Sequence, residues 1–240
     1  MTSDVEPYVD PSEFQAPQNQ YIAWLDIMGT ANAMRRSVKT AAVKVLKMHN
    51  AVLDVEDSYD VNLFPMMDGI YIVSDDGYEL IDFLQDLFKG YAEYLQEESD
   101  QDHFEVYYTS VIRAAIAFGP LYHGEDTTEA VSETIADSGN YKNSMLVGVP
   151  MADAYEAESE APPFGIHIHQ SARTLAPEGE EPIPQYWWKW WNDSDDLPED
   201  LLDLLEEYFD YFENSRHSEY SQGKIDEHRE MAEAYLQDDY

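Results

Sequence analysis

The sequence predicts an α/β fold, a mixed sheet with helices packed on one face, on three observations. A short apolar strand carries a single carboxylate, an Asp-Gly hairpin follows the first helix, and the periodic segments run strand, helix, hairpin, helix, strand, helix, strand. The chain has 240 residues, 44% hydrophobic and 13% aromatic, enough for a sizeable core. No Pro/Gly/Ser-rich linker divides it, so one main domain with an appendage is expected.

Residues 1–19 contain three prolines, several acids and no apolar periodicity, and read as a flexible acidic arm. Residues 21–27 (Tyr-Ile-Ala-Trp-Leu-Asp-Ile) are almost continuously apolar, as a strand buried on both faces must be, with Asp26 the one interruption. Met28, Gly29 and Thr30 turn the chain. From 31 to about 55, Ala33, Met34, Val38, Ala41, Val45 and Leu46 recur at helical spacing. The β-prone runs 61–67 and 70–73 flank Asp68-Gly69, which predicts a hairpin with Asp68 at its tip and positive φ at both turn residues. A second amphipathic helix is expected over 78–96, and a strand from about 106 to 118, with 121–123 returning beside it. A surface loop at 124–140, an apolar run at 145–149, a helix at 152–159 and a strand at 164–169 complete the main domain, 20–175. Residues 176–240 form a helical extension: a Pro-rich loop, the aromatic cluster 186–191, and two acidic helices near 198–214 and 224–237.

Fifty Asp and Glu stand against 13 Lys and Arg, a formal charge of −37, and the acids are spread through the periodic segments. At molar salt the screening length falls to about 3 Å and the self-repulsion of such a chain largely vanishes, so the composition reads as adaptation to a salt-rich cytoplasm. The same charge argues against nucleic acid or an anionic membrane as partner, since both demand Lys and Arg. A single nucleotide remains compatible if metal ions neutralise its phosphates. With no cysteine, disulfides, thiolate zinc and cysteine nucleophiles are excluded. The first twenty residues lack the pattern of a secretory signal and no run of 18 apolar residues follows, so a cytoplasmic location is expected.

A carboxylate ending a buried strand is costly without a partner or cation. A crossover that returns the hairpin beside the first strand brings Asp68 to Asp26, and two carboxylates there suit Mg²⁺ or Mn²⁺ with substrate phosphates. An ordinary turn Asp and a capping Asp are the competing reading.

Four motifs bear on that choice. Leu25-Asp26-Ile27-Met28-Gly29 resembles the Asp-Ile-x-Gly signature of class III nucleotide cyclases, and Met67-Asp68-Gly69 lies where that family carries its second metal aspartate. Arg113-Ala-Ala-Ile-Ala-Phe-Gly119 resembles its Arg-x-Gly-Ile-x-x-Gly strand. Leu146-Val-Gly148, Ala154-Tyr-Glu-Ala-Glu158 and Pro163-Phe-Gly-Ile166 resemble the pattern of the pyrimidine cyclases of Pycsar antiviral systems. The resemblance implies a ferredoxin-like sheet and a head-to-tail homodimer with sites at its interface. It also implies two Mn²⁺ or Mg²⁺ per site on Asp26, Asp68 and the Ile27 carbonyl, and cyclisation of a nucleoside triphosphate with release of pyrophosphate. Met28, Gly29 and Thr30 would cradle the phosphates, with Arg113 catalytic and Lys142 a further nucleotide-binding cation; Arg35 and Arg36 are weaker candidates.

Departures narrow the substrate. Phe64 occupies the base-selecting Lys position of purine cyclases, and Ala152 and Glu156 replace their Asn and Arg. A pyrimidine substrate is therefore expected, UTP before CTP, although Phe164 replaces the arginine of the Pro-Arg-Ile motif. A degenerate cyclase-fold protein that binds without turnover is the alternative. Two further features stay open: the aromatic cluster serves either a dimer contact or the packing of the C-terminal helices, and His167 with His169 makes a poor metal pair for want of a third ligand.

Overall fold

A computed structural model describes residues 14–99, 106–126, 137–191, 197–215 and 220–237. Most of the arm expected at 1–19 and most of the loop expected at 124–140 lie outside the described residues. The strands are β1 (Gln18–Ile27), β2 (Asn62–Met66), β3 (Gly69–Ser74), β4 (Ile112–His123), β5 (Leu146–Gly148), β6 (Ile166–Ile168) and β7 (Trp187–Trp188). The helices are α1 (Thr30–Arg36), α2 (Val38–Glu56), α3 (Gly77–Ser99), α4 (Gly139–Ser144), α5 (Val149–Ala157), α6 (Gln170–Thr174), α7 (Leu197–Asn214) and α8 (Gln222–Leu236).

The sheet order is β2-β3-β1-β4-β6-β7, with β5 paired to β4. Strand β1 is antiparallel to β3 and to β4, so the first four strands make two interleaved split βαβ units, the ferredoxin-like arrangement expected. Alternation along β1 sends Tyr21, Ala23, Leu25 and Ile27 into the main core and Ile22 and Trp24 into a second cluster on the opposite face. The main core takes Met48 and Val52 from α2, a long apolar face of α3, and Leu205, Phe209, Ile225 and Tyr235 from α7 and α8.

The expected helical face holds for α2, α3, α7 and α8. Helix α5, however, lies on the other face. Its Ala154 joins the second cluster, the Met151 carbonyl accepts from the Tyr71 hydroxyl at 3.3 Å, and Tyr155 stacks near Trp24 with centroids 5.6 Å apart. The strand expected at 106–118 is also displaced: Val106–Tyr108 is a short 3₁₀ turn, and β4 runs on through Gly119-Pro120 to His123 instead of folding back there. Pro120 is tolerated because a proline costs only its own N–H in the ladder and β4 has no long parallel neighbour at that end.

The hairpin differs from its sequence reading by one residue. Met66 pairs with Gly69, so the two-residue loop is Met67-Asp68, and the positive φ falls on Met67 (55°) and not on Gly69. Gly69 is required for a different reason: a Cβ there would come within 2.4 Å of the Trp24 ring and 2.6 Å of the Leu25 carbonyl oxygen. The aromatic cluster packs within the chain. Trp190 is buried against Phe88 and donates to the Phe164 carbonyl at 2.7 Å, while Trp191 meets Tyr235 of α8 edge-on.

Replacing Gly69 by Ala is expected to destabilise the protein by roughly 1–3 kcal/mol, the usual range of overpacking, read as a lower urea midpoint at unchanged slope.

Candidate active site

The β1–β4 register sets Asp26 directly opposite Arg113. Both lie on the face that carries Trp24, at the end of the sheet where Met28 N–H donates to the Val111 carbonyl at 2.8 Å. On the other side of β1, Leu25 pairs with Ile70, so the Met67-Asp68 loop closes next to Asp26. A third carboxylate joins them: Glu158, just after α5, accepts from Arg113 Nε and is itself buried.

Burial, then the Glu158 and Asp68 carboxylates, push the Asp26 carboxyl up to about 7, against pulls down from the Ile27 backbone and Arg113. Asp26 Oδ1 is buried with no hydrogen-bond partner among the described residues. Burial likewise raises the Glu158 carboxyl, outweighing the attraction of Arg113. An oxygen-only site short of positive charge is thus present at the end of β1. These residues fit a divalent ion: two carboxylates and a backbone carbonyl match the donor preference of Mg²⁺ or Mn²⁺, and a cation there would satisfy the orphaned Oδ1. The Ile27 carbonyl already accepts the buried Thr30 hydroxyl at 2.8 Å, and its second lone pair is left for a cation. Among the described residues no group of three or more His, Asp or Glu has metal-binding geometry, so substrate oxygens and water would have to supply the remaining ligands.

Gly29 stands at φ 74°, the left-handed region, and caps α1 without a side-chain bond. Of the three loop residues expected to cradle phosphate, Met28 has its N–H committed to Val111, and its side chain is buried. Gly29 and Thr30 remain.

Two other expected site residues stand apart. The Lys142 carbonyl abuts Gly124, beyond the far end of β4, and at about 3.3 Å per residue the strand puts roughly 30 Å between it and Arg113. Within one chain Lys142 therefore does not reach Asp26. Phe64 is buried in the second cluster with its ring 5.7 Å from that of His123, a packing position and not an open base-reading one. Phe164 is buried in the main core at φ 55°, so the position that departs from the Pro-Arg-Ile motif anchors the core. His167 is buried beside Tyr186, and His169 caps α6 by accepting from Ser171 N–H. Ala152 and Glu156 are exposed, one turn apart on α5.

Sequence reasoning missed what lies beside the site. A cavity of about 560 Å³ opens between the Met28-Gly29 loop, the α1–α2 face, Arg113 and the aromatic side of α7. A Cβ on Gly29 would lie 3.9 Å from the Tyr208 hydroxyl of α7. At its base Lys44, 4% exposed, donates to the Thr109 carbonyl at 2.7 Å. The signal was present in the helical spacing of Lys44, which places a lysine on the buried face of α2, but only the docking of α7 shows what it faces.

No family model and no curated protein matches this sequence. Several solved structures do resemble it. The guanylyl cyclase domain of the RhoGC fusion protein of the aquatic fungus Blastocladiella emersonii is 17% identical at a TM-score of 0.48, covering 65% of this chain and 82% of that one. An adenylate cyclase of Trypanosoma brucei is 14% identical at 0.46, covering 67% and 77%. The guanylate cyclase domain of RhGC from Catenaria anguillulae, solved with GTP, is 17% identical at 0.48, covering 65% and 81%. No described helix is long and apolar enough to cross a membrane.

Burial, then the Lys47 and Arg36 charges, lower Lys44 from 10.5 to about 8. Between those values the unfolded chain holds more protons than the folded one, so this group's contribution to stability rises with pH. Relative to Lys44→Met, the unmodified protein should gain roughly 1–3 kcal/mol between pH of about 8 and 10, measured by urea denaturation across that range.

Proposed function

We propose that this chain is a metal-dependent nucleotide cyclase of the class III type, converting a pyrimidine nucleoside triphosphate, UTP or CTP, to its 3′,5′-cyclic monophosphate with release of pyrophosphate. The observation that carries the reading is Asp26. It is a half-buried carboxylate whose buried Oδ1 has no partner among the described residues, with a second aspartate closing beside it, at the end of a strand whose sequence resembles the family's opening motif. The cyclase domains of similar fold act on purines, as their guanylyl and adenylate names state. The pyrimidine choice rests on the loss of the purine-cyclase Lys, Asn and Arg, whose positions Phe64, Ala152 and Glu156 occupy.

A divalent ion bound by Asp26, Asp68 and the Ile27 carbonyl would lower the pKa of the ribose 3′-hydroxyl and offset triphosphate charge. The chain's own residues orient the substrate. Gly29, at positive φ, lets the backbone approach the β and γ phosphates closely. Arg113, across the ladder from Asp26, neutralises charge on the phosphates as pyrophosphate departs, and Glu158 holds its guanidinium at the edge of the site. Lys142 belongs to this scheme only across a head-to-tail homodimer, where it would serve the neighbouring protomer's site. Exposed Val147, Val149 and Tyr155 support such an interface. A role in antiviral signalling, in a salt-rich cytoplasm, follows from the Pycsar resemblance and the charge.

A second reading, nucleotide binding without turnover, is favoured by one observation: Arg113 is already engaged by Glu158. Purified protein with Mn²⁺ and each of the four NTPs separates the two. A cyclic pyrimidine product is expected, reduced roughly 100-fold or more in Asp26→Ala and in Asp68→Ala. Binding without product leaves the second reading, and absence of metal-dependent binding removes both.

Under the first reading, Glu158→Gln frees Arg113 from its fixed partner. Activity should fall by roughly 10-fold with most of the loss in kcat, because the arginine is positioned by that contact; a change confined to KM would contradict this.

A further inference from the structure

The cavity beneath α7 has a lining that the chain's composition does not lead one to expect. Acidic residues outnumber basic ones 50 to 13 in this protein, yet among the described residues none lines the cavity, while Arg36, Lys39, Lys44 and Arg113 all do. Arg36 and Lys39 are exposed at the rim, and Lys44 is buried at the base. Among the described residues no carboxylate lies within 4.0 Å of the charged ends of these three, whereas the Lys47 and Arg229 side chains outside the cavity are paired with carboxylates. Three cations around one cavity, with no carboxylate of the described residues among them, make a lining complementary to an anionic group.

Lys44 points the same way. Its ammonium spends one hydrogen on the Thr109 carbonyl, which leaves two donors at the cavity floor. Opposite stand aromatic side chains of α7, Tyr208 and Tyr211 among them. A volume of about 560 Å³ falls in the range of small-molecule and cofactor sites.

We propose that this cavity is a second ligand site, adjoining the Asp26 centre at Gly29 and Arg113 but built on other cations, for a small anion bearing an aromatic ring, of mononucleotide class. The anionic group sits between Arg36, Lys39 and Lys44, and the ring lies against the α7 tyrosines. Protein cations alone balance the ligand, so binding there needs no metal. The ligand joins α7 to the α1–α2 face, and through Tyr208 and Arg113 it adjoins both the Gly29 loop and the Glu158 contact. The site stands whether or not the Asp26 centre turns over.

Isothermal titration of the full chain in EDTA, with UMP, AMP and inorganic pyrophosphate as probes, tests it. EDTA silences the Asp26 centre, which separates the two proposals. One equivalent of UMP or AMP is expected to bind per chain. The double variant Arg36→Gln/Lys39→Gln, at exposed positions that do not endanger folding, should weaken all three probes by about tenfold or more. Tyr211→Ala should weaken the nucleotides but not pyrophosphate, and Asp68→Asn should leave every probe unchanged. The proposal is overturned by absence of nucleotide binding at millimolar concentration in EDTA, by binding that survives the double variant, or by binding lost in Asp68→Asn.

Discussion

Ten consecutive residues of β1 are paired with β4, from Gln18 opposite Leu121 to Ile27 opposite Ile112, and almost every other feature hangs on that ladder. A strand in this position has no solvent face. Its alternate residues supply two cores at once, which is why residues 21–27 are apolar except for Asp26. A slip of one residue would exchange the two faces, so the register is held by the burial of Tyr21, Leu25 and Ile27 on one side and Ile22 and Trp24 on the other. The same register sets Asp26 across from Arg113, and pairing with β3 on the other edge brings the Asp68 loop alongside. The placement of the polar residues is thus a by-product of apolar packing.

Electrostatics then divides the molecule into two unlike compartments. On one side of the β1 terminus, Asp26, Asp68 and Glu158 crowd around a single guanidinium, and Asp26 rises to about 7 because burial and like charge both disfavour its ionisation. On the other, Arg36, Lys39 and Lys44 face a cavity that no acid of the described residues lines. Arg113 touches both, through Glu158 and through the cavity wall. In a chain of charge −37, where screening by salt handles the exposed surface, the buried Glu158 and Lys44 are charges that salt relieves much less, one in each patch.

The C-terminal helices are integral to this arrangement. Leu201, Leu205 and Phe209 of α7 and Ile225 and Tyr235 of α8 share the core that contains β1 and α3, and Trp190 and Trp191 bridge from β7 into it. The face of α7 beyond that core carries Tyr208 to within reach of Gly29. Tyr208 and Tyr211 of α7 in turn line the cavity that Arg36, Lys39 and Lys44 share.

Much of this was legible in the sequence. Period-two and period-3.6 patterns located β1, the β2–β3 hairpin, α3, α7 and α8 to within a few residues, because each must present an apolar face to a core, and the lone carboxylate at Asp26 marked itself by interrupting one. The order strand, helix, hairpin likewise predicted a crossover that returns the Asp68 loop beside the first strand. Local pattern reached no further. It assigned Gly69 to positive φ, whereas the residue is small because Trp24 and the Leu25 carbonyl crowd it from a neighbouring strand. It put every helix on one face, because amphipathicity tells that a helix is covered and not which side of a sheet covers it, and α5 went to the other. It grouped Lys142 with Arg113, although the length of β4 separates them, and it did not see that Glu158 holds Arg113 or that α7 roofs Lys44. Those are contacts between residues distant along the chain. They depend on how elements dock, and docking is decided by the summed packing of the whole core, which no single segment encodes.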